Sequence, residues 1–486
     1  MKEWTREERY RVLQGADDIL GLYESIKESD YRQTYHLQPI TGLSSDPNGF
    51  VYHKGVWHLF YQWCPWGAVH GLKYWYHTAS KDLVHWKNCG VGIYPDSFYD
   101  NKGVHSGSGF STGDDLYLFY TGNHRDEDWV RTPYTCVAKL EDSGELIKAP
   151  QPLFGPHENY TEHQRDPKVV YDEETQKYYI LLGAQSKDLK GKVLIYSSDS
   201  LLEGWTFVGE LRVPGFEDLG GMWECPSIER ISGKDVLVFS PQYTTLPNRN
   251  QSTNHNIYLL GKMDYKNLTF TAEGNYRHLD YGFDFYAAQF AANNGDPDRA
   301  VLTAWMGLPD NHYPTEAEDW EGSLTLPREL RLVNNRLLQR PVPGLASLRE
   351  KAVVLDEELP RVCELEVSNH QGQDFELKLF SKKDGSGGFC ISYDSQTKLC
   401  TVDRSQMDQH FNAELGECLT VPLEDGLTKL AVYIDKSSVE IFINDGQVTF
   451  TSHLYPTKQE AYYSASSHLD LQAWLLKPAV TDDFVI

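Results

Sequence analysis

Between about residue 35 and residue 335 the chain reads as a succession of short apolar runs: GFVYHKGVWHLFYQW, DLYLFYTG, KYYILLGAQ, KVLIYSSD, DVLVFSPQ and RAVLTAWMG. They are rich in β-branched and aromatic residues, and clusters of Gly, Asp, Asn and Pro separate them at the spacing of consecutive strands. A weak internal echo links HTASKDLVHW (77–86) with YSSDSLLEGW (196–205): an apolar strand, a turn, then a Trp placed to pack at a sheet edge. Units of roughly 60 residues over roughly 300 predict about five sheets, the layout of a β-propeller, although all-β patterning also fits a sandwich.

The pattern changes at both ends of this region. Residues 1–33 carry Glu, Arg and Leu in the manner of one or two helices, with Tyr10, Leu13, Leu20 and Leu22 too irregular for a coiled coil. QRPVPGLASLREKAV (339–353) reads as a linker. Beyond it FELKLFSK, GFCISYD, KLAVYIDKSSVEIFINDGQVTF and LQAWLLK alternate with period two, as sheets with one buried face do. The expected organisation is all-β: a helical extension (1–33), a propeller (34–338), a linker (339–353) and a β-sandwich (354–486).

Composition narrows the function. The 486 residues carry 45 Lys+Arg against 70 Asp+Glu, a net charge of −25, which opposes a nucleic-acid partner. No apolar window suits a membrane span, and the charged MKEWTREERYRVLQGADDIL lacks the core of a secretion signal. Eight scattered cysteines without a CxxC pair read as reduced thiols. These features predict a cytoplasmic protein; sequons at Asn159, Asn250 and Asn267 keep a secreted form as the alternative. Neither HExxH nor a paired Cys/His spacing is present, so no metal and no cofactor is expected. HSGSGF lacks the spacing of a serine-hydrolase elbow. The pattern carries no signal for an oligomer.

Three acidic motifs stand apart: LSSDPNG with Asp46, HQRDPKVV with Asp166, and MWECPSIER with Glu224. Each carboxylate is closely followed by Pro and read as lying at the entry to a strand, so strands radiating from one axis would point all three into a common opening. Singly, each reads as a turn residue. Arg165 is expected to hold its neighbour Asp166 ionised, whereas Trp223 and Cys225 would desolvate Glu224 and raise its pKa. One ionised and one protonated carboxyl is the requirement of glycoside hydrolysis.

HLQPITGLSSDPNGFVYHKGVWHLFYQW, RDP (165–167), WECP (223–226), DFYAAQ (284–289), SLTLPREL (323–330) and DKSSVEIFINDG (435–446) together resemble the β-fructofuranosidases, the family of invertases and sucrose-6-phosphate hydrolases. The resemblance covers nearly everything after residue 35. It implies a five-bladed propeller with the active site in its central funnel, followed by a β-sandwich. It implies Asp46 as nucleophile, Glu224 as general acid/base and Asp166 as transition-state stabiliser, in a retaining hydrolysis through a covalent fructosyl-enzyme. Gln62, Trp75, Ser106, Arg165 and Trp305 would bind the sugar. Ser45 stands where the family usually has Asn; its shorter side chain would leave the fructose ring unbonded there or reach it through a water. His105 replaces a usual Phe, and Tyr76 a usual Gly, narrowing whatever it faces.

Sucrose, sucrose-6-phosphate, raffinose and short fructans share the fructosyl end and stay open as substrates. A non-catalytic sugar-binding propeller and an inverting arabinan-cleaving propeller are the rival readings. His105, Lys73 and Arg125 are candidates for meeting a phosphate. The acidic total favours a neutral sugar, whereas the missing signal favours a phosphorylated one.

Overall fold

The computed structural model describes residues 3–356 and 358–486; Met1, Lys2 and Glu357, expected in the helical extension and the sandwich, lie outside the described residues. Among the described residues no helix is long and apolar enough to cross a membrane. The extension forms a short helix, Arg6–Arg9, closed by a Thr5/Glu8 capping box, and a second, Leu20–Ile26.

Five antiparallel sheets follow, and their innermost strands are Gly42–His53, Val104–Ser111, Tyr160–Asp172, Met222–Ile231 and Tyr286–Phe290. The ring closes where Ala292 donates to the Phe50 carbonyl (2.9 Å) and accepts from Tyr52 N–H (3.0 Å). Trp320–Glu321, from the last blade's connection, adds to the first blade alongside Gly42 and Leu43. The domain is thus a five-bladed propeller, in which radial closure removes long free edges.

The near-continuous apolar runs have a direct cause. Strand alternation sends Leu181 into the core shared by blades three and four, and Ile180 and Leu182 into the core shared by blades two and three. Leu237 and Phe239 likewise face one neighbour, Val236 and Val238 the other. A sheet buried on both faces has no polar face to alternate with. The internal echo also has a structural counterpart. Trp86 donates to the Leu83 carbonyl (3.1 Å) and Trp205 to the Leu201 carbonyl (3.2 Å), closing equivalent turns in blades one and three.

The C-terminal domain is a sandwich of six and five strands over one core that includes Leu365, Leu377, Ile391, Val432, Ile441 and Phe450. Residues 339–353, expected as a linker, are structured throughout. Their first residues complete the outermost strand of blade five (Arg336–Pro341), Pro343–Leu348 form a 3-10 turn, and Arg349–Val353 is an edge strand of the sandwich. The chain end returns to the propeller, where Trp86 N–H donates to the Ala479 carbonyl (2.9 Å) and Tyr76 Oη to the Val485 carbonyl (2.7 Å).

Candidate active site

The three carboxylates sit inside strands, not at their entries. Opposite Gln62, the first inner strand places two residues, Ser45 and Asp46, because the register slips between Ser44 and Pro47. The third slips in the same way at Asp166 and Pro167, and the fourth just after Glu224, at Cys225 and Pro226. The second and fifth slip at Ser106 and at Ala287, next to Tyr286. All five inner strands therefore carry a β-bulge, the device that re-aims a side chain and tolerates an unpaired backbone N–H. The prolines that suggested turns suit these positions because they have no N–H to lose. Asp166 is at φ 68° and Cys225 at φ 48°, left-handed conformations costly for residues with a side chain. Thr121 Oγ1 holds the first in place by accepting Asp166 N–H at 2.9 Å.

The bulges face a cavity of about 300 Å³. Asp46 Oδ2 accepts from Ser106 Oγ (2.5 Å) and Gln62 Nε2 (3.2 Å), while Asp166 Oδ2 accepts from Cys225 N–H (2.9 Å). Cys225 Sγ lies 4.0 Å from Asp46 Oδ2 and 3.6 Å from Asp166 Oδ2. Glu224 is held at both oxygens: Arg165 Nε (2.8 Å) and Nη2 (2.5 Å) donate to Oε1, and Tyr286 Oη (2.5 Å) donates to Oε2. Lys73 Nζ donates to Gln62 Oε1, tying a cation into the Gln62–Ser106–Asp46 chain.

This arrangement corrects one electrostatic expectation. Arg165 reaches across to Glu224 and leaves its sequence neighbour Asp166, in the bulge, without a direct guanidinium bond. Burial pushes the Asp166 carboxyl up to about 7, with Arg165 only partly offsetting it and Glu224 and Asp46 adding to the rise. Burial also raises Asp46, against the pull of Lys73 and the Ser106 hydrogen bond. Burial and the surrounding cations hold His70 and His105 neutral, and Cys225 stays a thiol because burial and the nearby carboxylates disfavour its anion.

Of the residues read from sequence, Asp46, Gln62, Ser106, Arg165, Asp166, Glu224 and Trp305 line the cavity. Ser45 and Trp75 do not. Ser45 is buried behind Gln62, 3.4 Å from its Oε1. Trp75 lies on the third strand out from the axis, fully buried against Phe60 and Tyr120, with its indole N–H on the His105 carbonyl (3.1 Å). Tyr76 faces the opposite side, stacked on Tyr61, and narrows nothing in the cavity. His105 and Lys73 are lining residues, whereas Arg125 is engaged with Trp129, its Nη1 on that residue's carbonyl (2.7 Å). Sequence reasoning missed Tyr286, Arg131 and Tyr10. The first lies within DFYAAQ, which stands out only as a motif, and nothing local marks the other two.

The motifs now stand together in space, and comparison with known proteins gives the same grouping. The glycosyl hydrolases family 32 N-terminal domain matches residues 36–341 and the family's C-terminal domain matches residues 348–474. The chain belongs to glycosyl hydrolase family 32. A sucrose-6-phosphate hydrolase of Staphylococcus xylosus is 38% identical over 478 residues, covering 94% of each chain. The family-32 fold superposes on the structure of sucrose-6-phosphate hydrolase from Lactobacillus gasseri with a TM-score of 0.92 at 34% identity, covering 98% of this chain and 100% of that one. A Bombyx mori family-32 β-fructofuranosidase gives 0.82 at 28% identity, over 96% of this chain and all of the other. As a family-32 member the chain is a glycoside hydrolase.

Proposed function

We propose that this hydrolase cleaves the β-fructofuranosidic bond of sucrose 6-phosphate, with retention, in the cavity at the propeller axis. Asp46 is the nucleophile. Ser106 and Gln62 both donate to its Oδ2, fixing the carboxylate for attack on fructosyl C2. Glu224 delivers a proton to the departing glycosidic oxygen and then activates the water that releases fructose. Arg165 and Tyr286 orient it. Burial, with Glu224 and Asp46 close by, raises Asp166 to about 7. Asp166 accepts hydroxyls of the fructosyl ring.

The observation that carries the phosphorylated substrate is a pair of cations. Lys73 and Arg131 line the cavity, and among the described residues neither has a carboxylate within ion-pair distance: Lys73 bonds Gln62, and Arg131 bonds Asn123 Oδ1 at 2.8 Å. Burial lowers Arg131 only to about 10, so it stays charged at neutral pH and available to a phosphate. The global acidic charge is thereby countered where the substrate would enter. All eight cysteines are unpaired, which supports placing the reaction in the reducing cytoplasm.

Steady-state turnover of sucrose 6-phosphate against sucrose tests the reading. The phosphorylated sugar is expected to have the higher kcat/KM by about tenfold or more, and Arg131→Gln to lower it by about 30-fold, the value of a charge-assisted hydrogen bond, with a much smaller loss on sucrose. Equal kcat/KM for both sugars would make this a neutral-sugar enzyme.

A further inference from the structure

The N-terminal segment is seated on the rim of the catalytic cavity. Arg9 Nε donates to the His70 carbonyl (2.7 Å), and the Arg9 carbonyl accepts Leu72 N–H (2.8 Å). Trp66 Nε1 donates to the Arg11 carbonyl (2.7 Å) while the Arg11 guanidinium lies 3.5 Å over the Trp66 ring, and Leu13 N–H donates to Tyr74 Oη (2.9 Å). Two glycines make the fit possible: a Cβ at Gly67 would meet the Trp4 ring at 2.4 Å, and one at Gly71 the Arg9 carbonyl oxygen at 2.2 Å. The loop beneath carries His70, Gly71 and Lys73, themselves cavity-lining residues.

Tyr10 closes the short helix of this segment and turns into the cavity wall, the one lining residue, among those described, that comes from outside the propeller. Its ring meets Trp129 of blade two edge-on at 5.0 Å, and Trp129 is fixed by Arg6 (4.4 Å) and Arg125 (5.2 Å) over its own ring. The Tyr10 hydroxyl makes no hydrogen bond with the described residues. The acids come from the bulge level of the inner strands, whereas Tyr10 comes from a segment lying across rim loops. Its half-buried ring, with a free hydroxyl, therefore flanks the rim side of the cavity, away from the bulge level, and an aromatic face with a polar tip suits a pyranose ring.

We propose that residues 4–13 form a strap that builds the leaving-group wall of the cavity, and that Tyr10 is a specificity-determining residue that restricts the leaving group to a single sugar ring. This rests on the β-fructosidase reading of the site. A second ring attached to the leaving sugar has to pass Tyr10 and the strap, which the contacts above hold against blades one and two.

The test compares sucrose with raffinose, whose leaving group has two rings, using full-length wild type, Tyr10→Ala, Tyr10→Phe and Tyr10→Trp. Tyr10→Ala is expected to raise KM for sucrose about tenfold with kcat changed less than about threefold, and to raise the raffinose-to-sucrose ratio of kcat/KM about tenfold. Tyr10→Phe should keep the wild-type ratio, and Tyr10→Trp should lower it. Tyr10→Trp keeps the test valid if Tyr10→Ala loosens the strap's fold. An unchanged ratio in Tyr10→Ala and Tyr10→Trp, with thermal midpoints like wild type, would overturn the proposal. Absence of turnover of any β-fructoside by wild type would instead remove the reading of the site beneath it.

Discussion

Two buried charge clusters of nearly the same composition serve opposite ends in this molecule. The cavity holds Asp46, Asp166, Glu224 and Arg165. The interface between propeller and sandwich holds Asp280, Asp435, Glu440, Arg328 and His36, all fully or almost fully buried. At the interface every acid is saturated. Asp435 accepts the backbone N–H groups of Thr34 (2.9 Å), Tyr35 (2.9 Å) and His36 (3.2 Å), plus His36 Nδ1 (2.9 Å). Glu440 accepts from His36 Nε2 (3.1 Å), Leu326 N–H (2.7 Å) and Arg328 Nη2 (2.6 Å). Asp280 takes Arg328 Nη1 (3.0 Å), both Thr451 donors (2.9 and 2.7 Å) and Thr449 Oγ1 (2.9 Å).

The outcome for protonation is inverted. Burial alone would raise Glu440 and lower His36, but Arg328 and His36 hold Glu440 below the usual range, and the two acids raise His36 to about 9. In the cavity burial wins, and Asp46 and Asp166 rise. The acids that join the domains are given their partners by the fold, whereas acids left shorter of partners face the cavity.

Removing a cavity acid should break catalysis and spare the fold. Asp46→Asn and Glu224→Gln are each expected to lose about 10⁴-fold or more in kcat while keeping a thermal midpoint no lower than wild type; an active Asp46→Asn protein would end its assignment as nucleophile. The interface should respond the other way. Arg328→Met leaves two buried acids without their guanidinium and should cost about 3–5 kcal/mol, read from the urea midpoint of unfolding. A midpoint unchanged from wild type would mean the cluster is not what joins the domains.

The smallest effect distinguishes the clusters by pH. An acid with a raised folded pKa binds its proton more tightly in the native state, so Asp166 lowers stability as pH rises from about 4 to about 7. Asp166→Asn should therefore be more stable than wild type at pH 7 and flatten that limb of the melting curve. His36, raised to about 9, contributes stability that is full below about 6.5 and lost as pH climbs through 9. His36→Gln should therefore be less stable at pH 6 and lose the alkaline slope. Melting temperatures measured from pH 4 to pH 9.5 separate the two windows; a single shared slope would sink the contrast.

Much of the fold is written in local patterning. Apolar runs spaced by turn residues point to a succession of strands in about five units, and the period-two runs after residue 354 to sheets with one buried face. The acidic motifs were readable too, because a carboxylate followed closely by Pro next to an apolar strand is conspicuous. What the sequence by itself determined, then, is the kind of sheet, their approximate number, and which acids are unusual.

The tertiary structure decided what those acids experience. Bulges at one level of five inner strands gather Asp46, Ser106, Asp166, Glu224 and Tyr286, although 240 positions separate the first from the last. Register slips of one residue also decide that Arg165 serves Glu224 instead of Asp166. Distance from the axis removed Trp75 from the cavity, and a strap from the chain's start brought Tyr10 to it. Periodicity specifies which face of a strand is buried; it carries no record of the partner strand's register or of groups arriving from remote segments. Burial and Coulomb interaction act over a few ångströms of space regardless of separation along the chain, so the raised Asp46 and Asp166 carboxyls exist only once the blades have closed.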